Sequence, residues 1–527
     1  MTGPDKEQWK TAMWKEFQNI ESKNVWKIIK KIDIPKGRKI IGNRWVHAIK
    51  DDGRYRSRTV GKGFSQVPGK DFHENHAPVV HDTTFHLALV QKIMYKLSSR
   101  QFDIETAFLY GELEEELYMD FPDGYQEYIY EVRKAIEKAA EYCVLLTKAL
   151  YGLVQAARQW YKKITSLFAK LNFFPSPADP CLFVRAKKGN EPPAYIILYV
   201  DDGAVIGSKE VIKEVISALS EMIKVKPLGP LKHFVGCHII RSADNKTIYI
   251  HQPKLLQHLE DAFSQFCEKG NRSFLTPAAP KTVIVRPEKD MPLLSPTNQT
   301  QYRSGVGMLL YLVKHSRPDL ANAVRELTKV LDKATIANWK ALLRTISYVF
   351  NTASYALKLQ PSIRKDRKYD LEVYSDSEFA GDPETRMSVY GYITFFCGAS
   401  VSWKSKSNRC VTLSSTEAEY YASSEAAKEL LFIYNLISTM EKNLLLPIIL
   451  NVDNTGAIYL ANNYSTGPRT KHIDIRTHFV RELILKGILK VEFIKSEEND
   501  ADIFTKNVSE ELFHKHSEKL IDKSPKI

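Results

Sequence analysis

Two adjacent carboxylates, Asp201 and Asp202, interrupt an otherwise apolar stretch, with Ala194 to Val200 before them and Ala204 to Gly207 after Gly203. Two apolar runs joined by a short polar break read as a hairpin. Consecutive strand side chains face opposite ways, so such a pair can aim one carboxylate into a cleft while its neighbour supports it. Asp-Asp-Gly is also ordinary turn chemistry, and alone it reads more readily as a solvated turn. It is not alone. The run Gln101 to Phe108 puts Asp103 at the end of an earlier strand. If the two strands pair, three carboxylates converge, and like charges so close repel unless a divalent cation lies between them. Phosphoryl transfer by two metals about 3.5–4 Å apart needs such oxygen ligands. One ion acidifies the attacking hydroxyl and the other holds the triphosphate and the leaving pyrophosphate.

A second set of acids follows the same pattern further on. Leu371 to Asp376 is a strand ending in a carboxylate, and Leu413 to Tyr420 opens a helix carrying Glu417 and Glu419. Leu450 to Asn454 is another strand, ending at Asp453, and Phe493 to Asp502 closes the series. A Ser/Thr run followed by Glu is also a helix N-cap signature, so both glutamates read equally as first-turn acids.

These groups need a scaffold larger than one core. At 527 residues and about 100–200 residues per domain, three or four units are expected. Hydrophobic content of 44% and charged content of 26% are those of a globular protein. A net charge of +13 suits a phosphate backbone as partner, though general solubility accounts for it as well. Six cysteines without a CxxC pair fit neither a disulfide framework nor a zinc knuckle, and imply reduced thiols in cytosol or nucleus. No apolar run approaches the roughly 18 residues of a membrane span, and the first residues carry no signal core. A soluble intracellular protein with no membrane partner is expected.

Along the chain, Lys6 to Ile29 reads as an amphipathic helix with Trp9, Met13, Phe17 and Ile20 on one face. A basic strand-rich stretch, Lys39 to Gly63, turns at Asp51-Asp52-Gly53; Asp82 to Leu97 is helical. Strands at Cys181–Arg185 and Ala194–Val200 bracket a turn over Lys187–Pro193, and strands resume from His238 to Ile250. Helices follow over Pro253–Phe266, then a Pro-rich linker, Pro277 to Pro296, then two or three helices between Thr300 and Leu357. The basic connector Arg364 to Lys368 leads to a fresh strand, Tyr369 to Ser375, where the last domain boundary falls.

Tyr199-Val200-Asp201-Asp202 on a hairpin, preceded by a strand ending Phe102-Asp103-Ile104-Glu105-Thr106-Ala107-Phe108, resembles the palm of reverse transcriptases. The surrounding text is similar to the copia-type family in particular: Asn43-Arg44-Trp45-Val46, the run Arg58 to Gln66, Phe121 to Tyr125, Lys148 to Tyr161 and Tyr302 to Tyr311. The likeness runs from about Trp9 to about Lys506. It points to the Pol reverse transcriptase/ribonuclease H of copia-type LTR retrotransposons. The fold it implies is an α+β right hand of fingers, palm and thumb, with an antiparallel palm sheet. A connection region and an α/β ribonuclease H-like C-terminal domain complete it. The matching ranges are 1–95 for a fingers-like region with the N-terminal helix, and 96–250 for a palm with part of the fingers interleaved. Thumb and connection take 251–365, and the ribonuclease H-like domain takes 366–527.

The resemblance also implies roles. Asp103, Asp201 and Asp202 correspond to the polymerase metal triad, and Phe108 to an aromatic sugar gate, a core phenylalanine being the alternative. Arg58 and Lys62 fall where the triphosphate is met, Arg being the better bidentate partner. Gln155 corresponds to a residue lining the nucleotide pocket, and Leu228-Gly229 to a primer-gripping turn. Asp376, Glu419, Asp453 and Asp502 match the ribonuclease H D-E-D-D set. Glu417 is the fallback for Glu419, and Asp474 competes with Asp502. Arg469 to Asp474 is a basic motif suited to a hybrid backbone. Ala157, Gly61 and His81 stand where the family has Pro, Ala and Arg, and no His-containing loop precedes Asp502; none of these removes a catalytic group.

The implied activity is RNA-directed DNA polymerase with ribonuclease H, using two Mg²⁺ or Mn²⁺ ions per site. The partners would be an RNA template, a DNA primer, the RNA–DNA hybrid and dNTPs, in a cytoplasmic virus-like particle or the nucleus. Oligomeric state is not legible. A co-opted or decayed element product that binds nucleic acid without catalysis is the alternative.

Overall fold

The computed structural model describes residues 4–50, 52–133, 139–185, 191–267, 274–362, 369–440, 444–463 and 474–525. The basic connector, the Arg469 to Ile473 motif and part of the Lys187–Pro193 turn lie outside them.

The N-terminal helix is Lys6–Ser22 and buries Met13, Phe17 and Ile20 as expected, but it stops seven residues short of Ile29. Asn24 turns the chain with a positive φ of 53°. Trp26–Lys30 then becomes a strand, where Ile28 and Ile29 favour the pleat. It pairs with Tyr142–Lys148 in a four-stranded sheet completed by Glu112–Met119 and Ile40–Ile41. The basic stretch forms its own hairpin, Asn43–Ile49 with Tyr55–Gly61. The first helix packs on it through Trp9, whose ring meets those of His47 and Tyr55.

A six-stranded antiparallel sheet carries the first set of acids. Its order is Val225–Gly229, Ser98–Ile104, Asp202–Gly207, Ala194–Tyr199, Leu182–Arg185, Phe173–Pro175. Both faces are covered, which is why Ala194 to Val200 reads as one apolar run. Ile196, Leu198 and Val205 pack against the helices Ala156–Lys170 and Lys209–Met222. Tyr195, Ile197 and Ile206 pack in the cluster that holds Asp82–Met94.

Three expected boundaries move. Asp82–Met94 belongs not with the N-terminal hairpin but between the six-stranded sheet and the C-terminal unit; His86 hydrogen-bonds the Val401 carbonyl at 2.9 Å. The stretch from His238 to Ile250, expected within the range 96–250, lies outside the six-stranded sheet. A separate five-stranded sheet runs His233–Phe234, Cys237–Arg241, Ile248–His251, Tyr355–Leu359, Ile521–Lys523. The last of these strands returns across the boundary at 366, and Phe513, Leu520 and Ile521 enter the core of the middle helices. These helices are Pro253–Phe263, Pro296–His315, Ala321–Thr328 and Ile336–Asn351. Pro277 to Pro296 is no free linker either. Ile284 is buried, its N–H donates to Glu326 at 2.6 Å, and Leu294 N–H donates to the Ala334 carbonyl.

The C-terminal unit is a mixed five-stranded sheet, Ala399–Ser407, Val389–Phe396, Leu371–Glu378, Ile448–Val452, Leu489–Phe493. The first three strands are antiparallel and the last two join in parallel. The helix Ser415–Met440 lies across it. Among the described residues, no helix is long and apolar enough to cross a membrane.

Candidate active sites

Register brings the first acids together. Asp103 pairs directly with Asp202, and Tyr199 with Asp202, leaving Val200 and Asp201 as a two-residue loop. The expected Asp-Asp-Gly turn is thus one residue off: Val200 bends the chain with a φ of 58°, and Asp202 and Gly203 already belong to the return strand. Trp160 Nε1–H donates to the Val200 carbonyl at 2.6 Å, and Ile104 N–H donates to the Asp201 carbonyl at 3.1 Å, fixing the loop from both sides. Gly203 is required here, because a Cβ would lie 2.1 Å from the fully buried Phe102 ring. Burial, then the charges of Asp201 and Asp103, push the Asp202 carboxyl up to about 6. Burial and Asp201 raise that of Asp103, against Lys226, its cross-strand neighbour on the other side.

Of the nucleotide-site candidates, Phe108 and Arg58 meet on one side chain that sequence reasoning did not single out. The Arg58 guanidinium lies 4.3 Å from the centre of the Tyr151 ring, and Phe108 meets that ring edge-on at 5.6 Å. Lys62 is exposed nearby in sequence. Gln155 is fully buried, accepts from Gln66 at 3.0 Å and donates to the Asp71 carbonyl at 2.9 Å, which braces the loop before the Ala156–Lys170 helix. Leu228 and Gly229 end the edge strand beside Asp103, Leu228 exposed and Gly229 with a φ of 89°.

The C-terminal acids converge more tightly. Among the described residues, Asp376, Glu419 and Asp453 are the one trio whose ligand atoms all fall within 4.8 Å of one another; the Asp103–Asp201–Asp202 set is looser. Asp376 is interior to its strand and buried, while Asp453 follows the end of Ile448–Val452. Glu419 Oε1 accepts from the Ser377 N–H at 3.2 Å and its hydroxyl at 3.0 Å. Glu417 instead turns back to accept from Leu413 N–H at 2.6 Å, a capping role that separates the two glutamates. Asp502 sits in a buried turn beside the trio, and Lys506 Nζ lies 3.1 Å from Asp502 and 3.6 Å from Asp376. Thr505 donates to Asp376, and Ser496 to Asp453. Gly391, opposite Asp376, admits this turn, since a Cβ would lie 2.7 Å from Phe504. The side chain of Asp474 lies outside the described residues.

Lys506 was missed, although its position four residues after Asp502 was a legible signal. Burial, joined by neighbouring negative charge, raises the Asp376 and Glu419 carboxyls well above the usual range. Glu419 Oε2 is buried with no hydrogen-bond partner. An all-oxygen donor set with an orphaned lone pair fits a hard divalent cation such as Mg²⁺ or Mn²⁺.

Residues 23–267 match the family described as reverse transcriptase (RNA-dependent DNA polymerase). The chain is 32% identical over 521 residues to the retrovirus-related Pol polyprotein from transposon TNT 1-94 of Nicotiana tabacum, covering 97% of this chain and 38% of that protein. It is 31% identical over 522 residues to that from transposon RE2 of Arabidopsis thaliana, covering 98% of this chain and 34% of that one. The chain thus spans little more than a third of the length of these relatives. Among solved structures, a foamy viral protease-reverse transcriptase in complex with double-stranded DNA aligns with a TM-score of 0.48 at 11% identity, over 93% of this chain and 70% of that one. Residues 23–267 thus form a reverse transcriptase domain, in a chain that is similar over nearly its whole length to the Pol polyproteins of plant copia-type transposons.

Proposed function

We propose that this chain is an RNA-directed DNA polymerase joined to a ribonuclease H-like nuclease, with a separate metal cluster for each reaction. The observation that carries the polymerase reading is the Asp103–Asp202 register, with Asp201 at the adjoining two-residue turn, inside the segment that matches the reverse transcriptase family. The nuclease reading rests on the Asp376–Glu419–Asp453 trio set on a mixed sheet, with Asp502 in the turn beside it.

Asp103, Asp201 and Asp202 would hold the ions of the polymerase site, and Asp376, Glu419, Asp453 and Asp502 those of the nuclease. When bound, a pair of Mg²⁺ or Mn²⁺ ions supplies charge stabilisation and lowers the pKa of the attacking hydroxyl or water. The protein's own groups do the rest. Arg58, held against the Tyr151 ring, and Lys62 meet the triphosphate of an incoming dNTP; the Phe108 ring abuts the sugar and disfavours a 2′-hydroxyl. Ser377 and Thr505 hold the Glu419 and Asp376 carboxylates in place by donating to them. Lys506 balances the charge of Asp376 and Asp502.

The partners are then an RNA template with a DNA primer at one site and the RNA–DNA hybrid at the other. Extension of an oligo-dT primer on poly-rA tests the first reading. Wild type should extend it in the presence of Mg²⁺ or Mn²⁺ and Asp201→Asn should not; no divalent-dependent product from wild type refutes it.

A further inference from the structure

Three histidines outside both acid clusters stand in one row across three neighbouring strands. His233 pairs directly with His238, and His238 directly with His251. Directly opposed residues of an antiparallel pair share a face, with Cβ atoms about 4.5–5.5 Å apart. The alternate residues Phe234, Cys237 and Ile250 enter the core on the other face. The three imidazoles therefore rise side by side from one surface. The His233 and His238 rings already meet edge to face, with centroids 4.2 Å apart.

The third ring has the hydrogen bonding of a metal ligand. His251 is 9% exposed, and its Nε2 lies 2.8 Å from the Ala353 carbonyl. A carbonyl only accepts, so the proton is on Nε2 and the lone pair on Nδ1. That Nδ1 is buried and has no hydrogen-bond partner. An unpaired buried acceptor costs about 1–3 kcal/mol, and a ring N–H given to a backbone carbonyl is the usual outer support of a metal-bound histidine.

We propose that His233, His238 and His251 form a site for a borderline-soft divalent cation of the Zn²⁺ class, distinct from the two oxygen-lined clusters. Desolvation holds the His238 and His251 imidazoles below their ordinary pKa. The ligand atoms are not yet gathered around one point. His233 is exposed and His238 half-buried, so closure of the site would call on rotation about their side-chain torsions. Lys254 lies close enough to His238, and Arg317 to His251, to oppose added positive charge, which limits the affinity. A bound cation would tie the His233–Arg241 hairpin to the strand that runs directly into the helix Pro253–Phe263.

The test is titration of the metal-stripped full chain with Zn²⁺ alone, in excess Mg²⁺ and without nucleic acid, alongside Co²⁺ absorption as a reporter of coordination geometry. Wild type and Asp376→Asn should bind Zn²⁺ equally and give the strong visible bands of four-coordinate Co²⁺. His238→Ala and His233→Ala should each weaken Zn²⁺ binding at least about 10-fold. If His238→Ala fails to fold, the exposed His233→Ala variant reads the same quantity. Equal Zn²⁺ affinity in wild type and the histidine variants overturns the proposal. So does a loss of primer–template affinity in those variants with Zn²⁺ binding unchanged, which would assign the rings to nucleic acid.

Discussion

Neutralising Glu419 should stabilise the metal-free protein while abolishing the nuclease. In Glu419→Gln the oxygen that accepts from the Ser377 N–H and hydroxyl is kept. The orphaned Oε2 becomes an amide that can donate to Asp376 and Asp453, whose ligand atoms lie within 4.8 Å. Burial, then the charges of Asp376 and Asp453, raise the Glu419 carboxyl well above its ordinary 4.5. A folded pKa above the unfolded one favours folding at low pH, and this stability is lost as pH rises from the unfolded value toward the folded one. At about 1.4 kcal/mol per pH unit the penalty at neutral pH is capped near about 3 kcal/mol. The glutamine variant avoids it. Calorimetry in a chelator at about pH 7 should therefore show the variant's C-terminal transition about 3–8 °C above that of wild type. The gap should close near pH 4.5, and Mg²⁺ should narrow it by stabilising wild type alone. A variant that melts at or below wild type at neutral pH without metal would refute the reasoning.

Other perturbations follow from the polymerase half. Asp202, held up to about 6, ionises only above that value. Extension at subsaturating Mg²⁺ should fall as pH drops through about 6 as protons compete with the cation; a profile flat across that range contradicts it. Gly203→Ala places a methyl 2.1 Å from the buried Phe102 ring. Overpacking of this kind costs about 1–3 kcal/mol or more, so primer extension should be lost while hybrid cleavage survives, and near-normal extension would refute the tight approach. Phe108→Ala should let ribonucleotides be incorporated, read by gel-resolved extension with rNTPs; unchanged sugar selectivity would leave the ring a packing partner of Tyr151.

Local chemistry was legible where the chain announces it within a few residues. The Ala194–Tyr199 and Asp202–Gly207 hairpin, the Ser415–Met440 helix and the strands ahead of Asp376 and Asp453 fall close to where apolar runs and breaks put them. Choosing Glu419 over Glu417 needed only the neighbouring Tyr420-Tyr421-Ala422 core run, and all three of these residues are buried. What could not be read was pairing at a distance. Nothing near Ile521 says that it will lie against Leu357, nor anything near Ile248 that its partner is Leu359. The burial of Gln155 was not legible, because a glutamine beside a basic segment suits a ligand as well as it suits a buried brace. Whether its amide is free depends on Gln66 and Asp71, more than eighty residues earlier. The first helix was overextended because Val25 to Lys30 continues the apolar content while its strand partner is remote.

The claim of two independent metal centres on one chain is tested most directly by separating them. Wild type, Asp201→Asn and Asp376→Asn should be given one RNA template, labelled and annealed to a DNA primer, with Mg²⁺, and both primer extension and RNA cleavage followed in each reaction. Asp201→Asn should still cut the hybrid without extending the primer, and Asp376→Asn should extend the primer without cutting the RNA. Loss of both activities in either variant, or of neither, would contradict the assignment of Asp103, Asp201 and Asp202 to one reaction and Asp376, Glu419, Asp453 and Asp502 to the other.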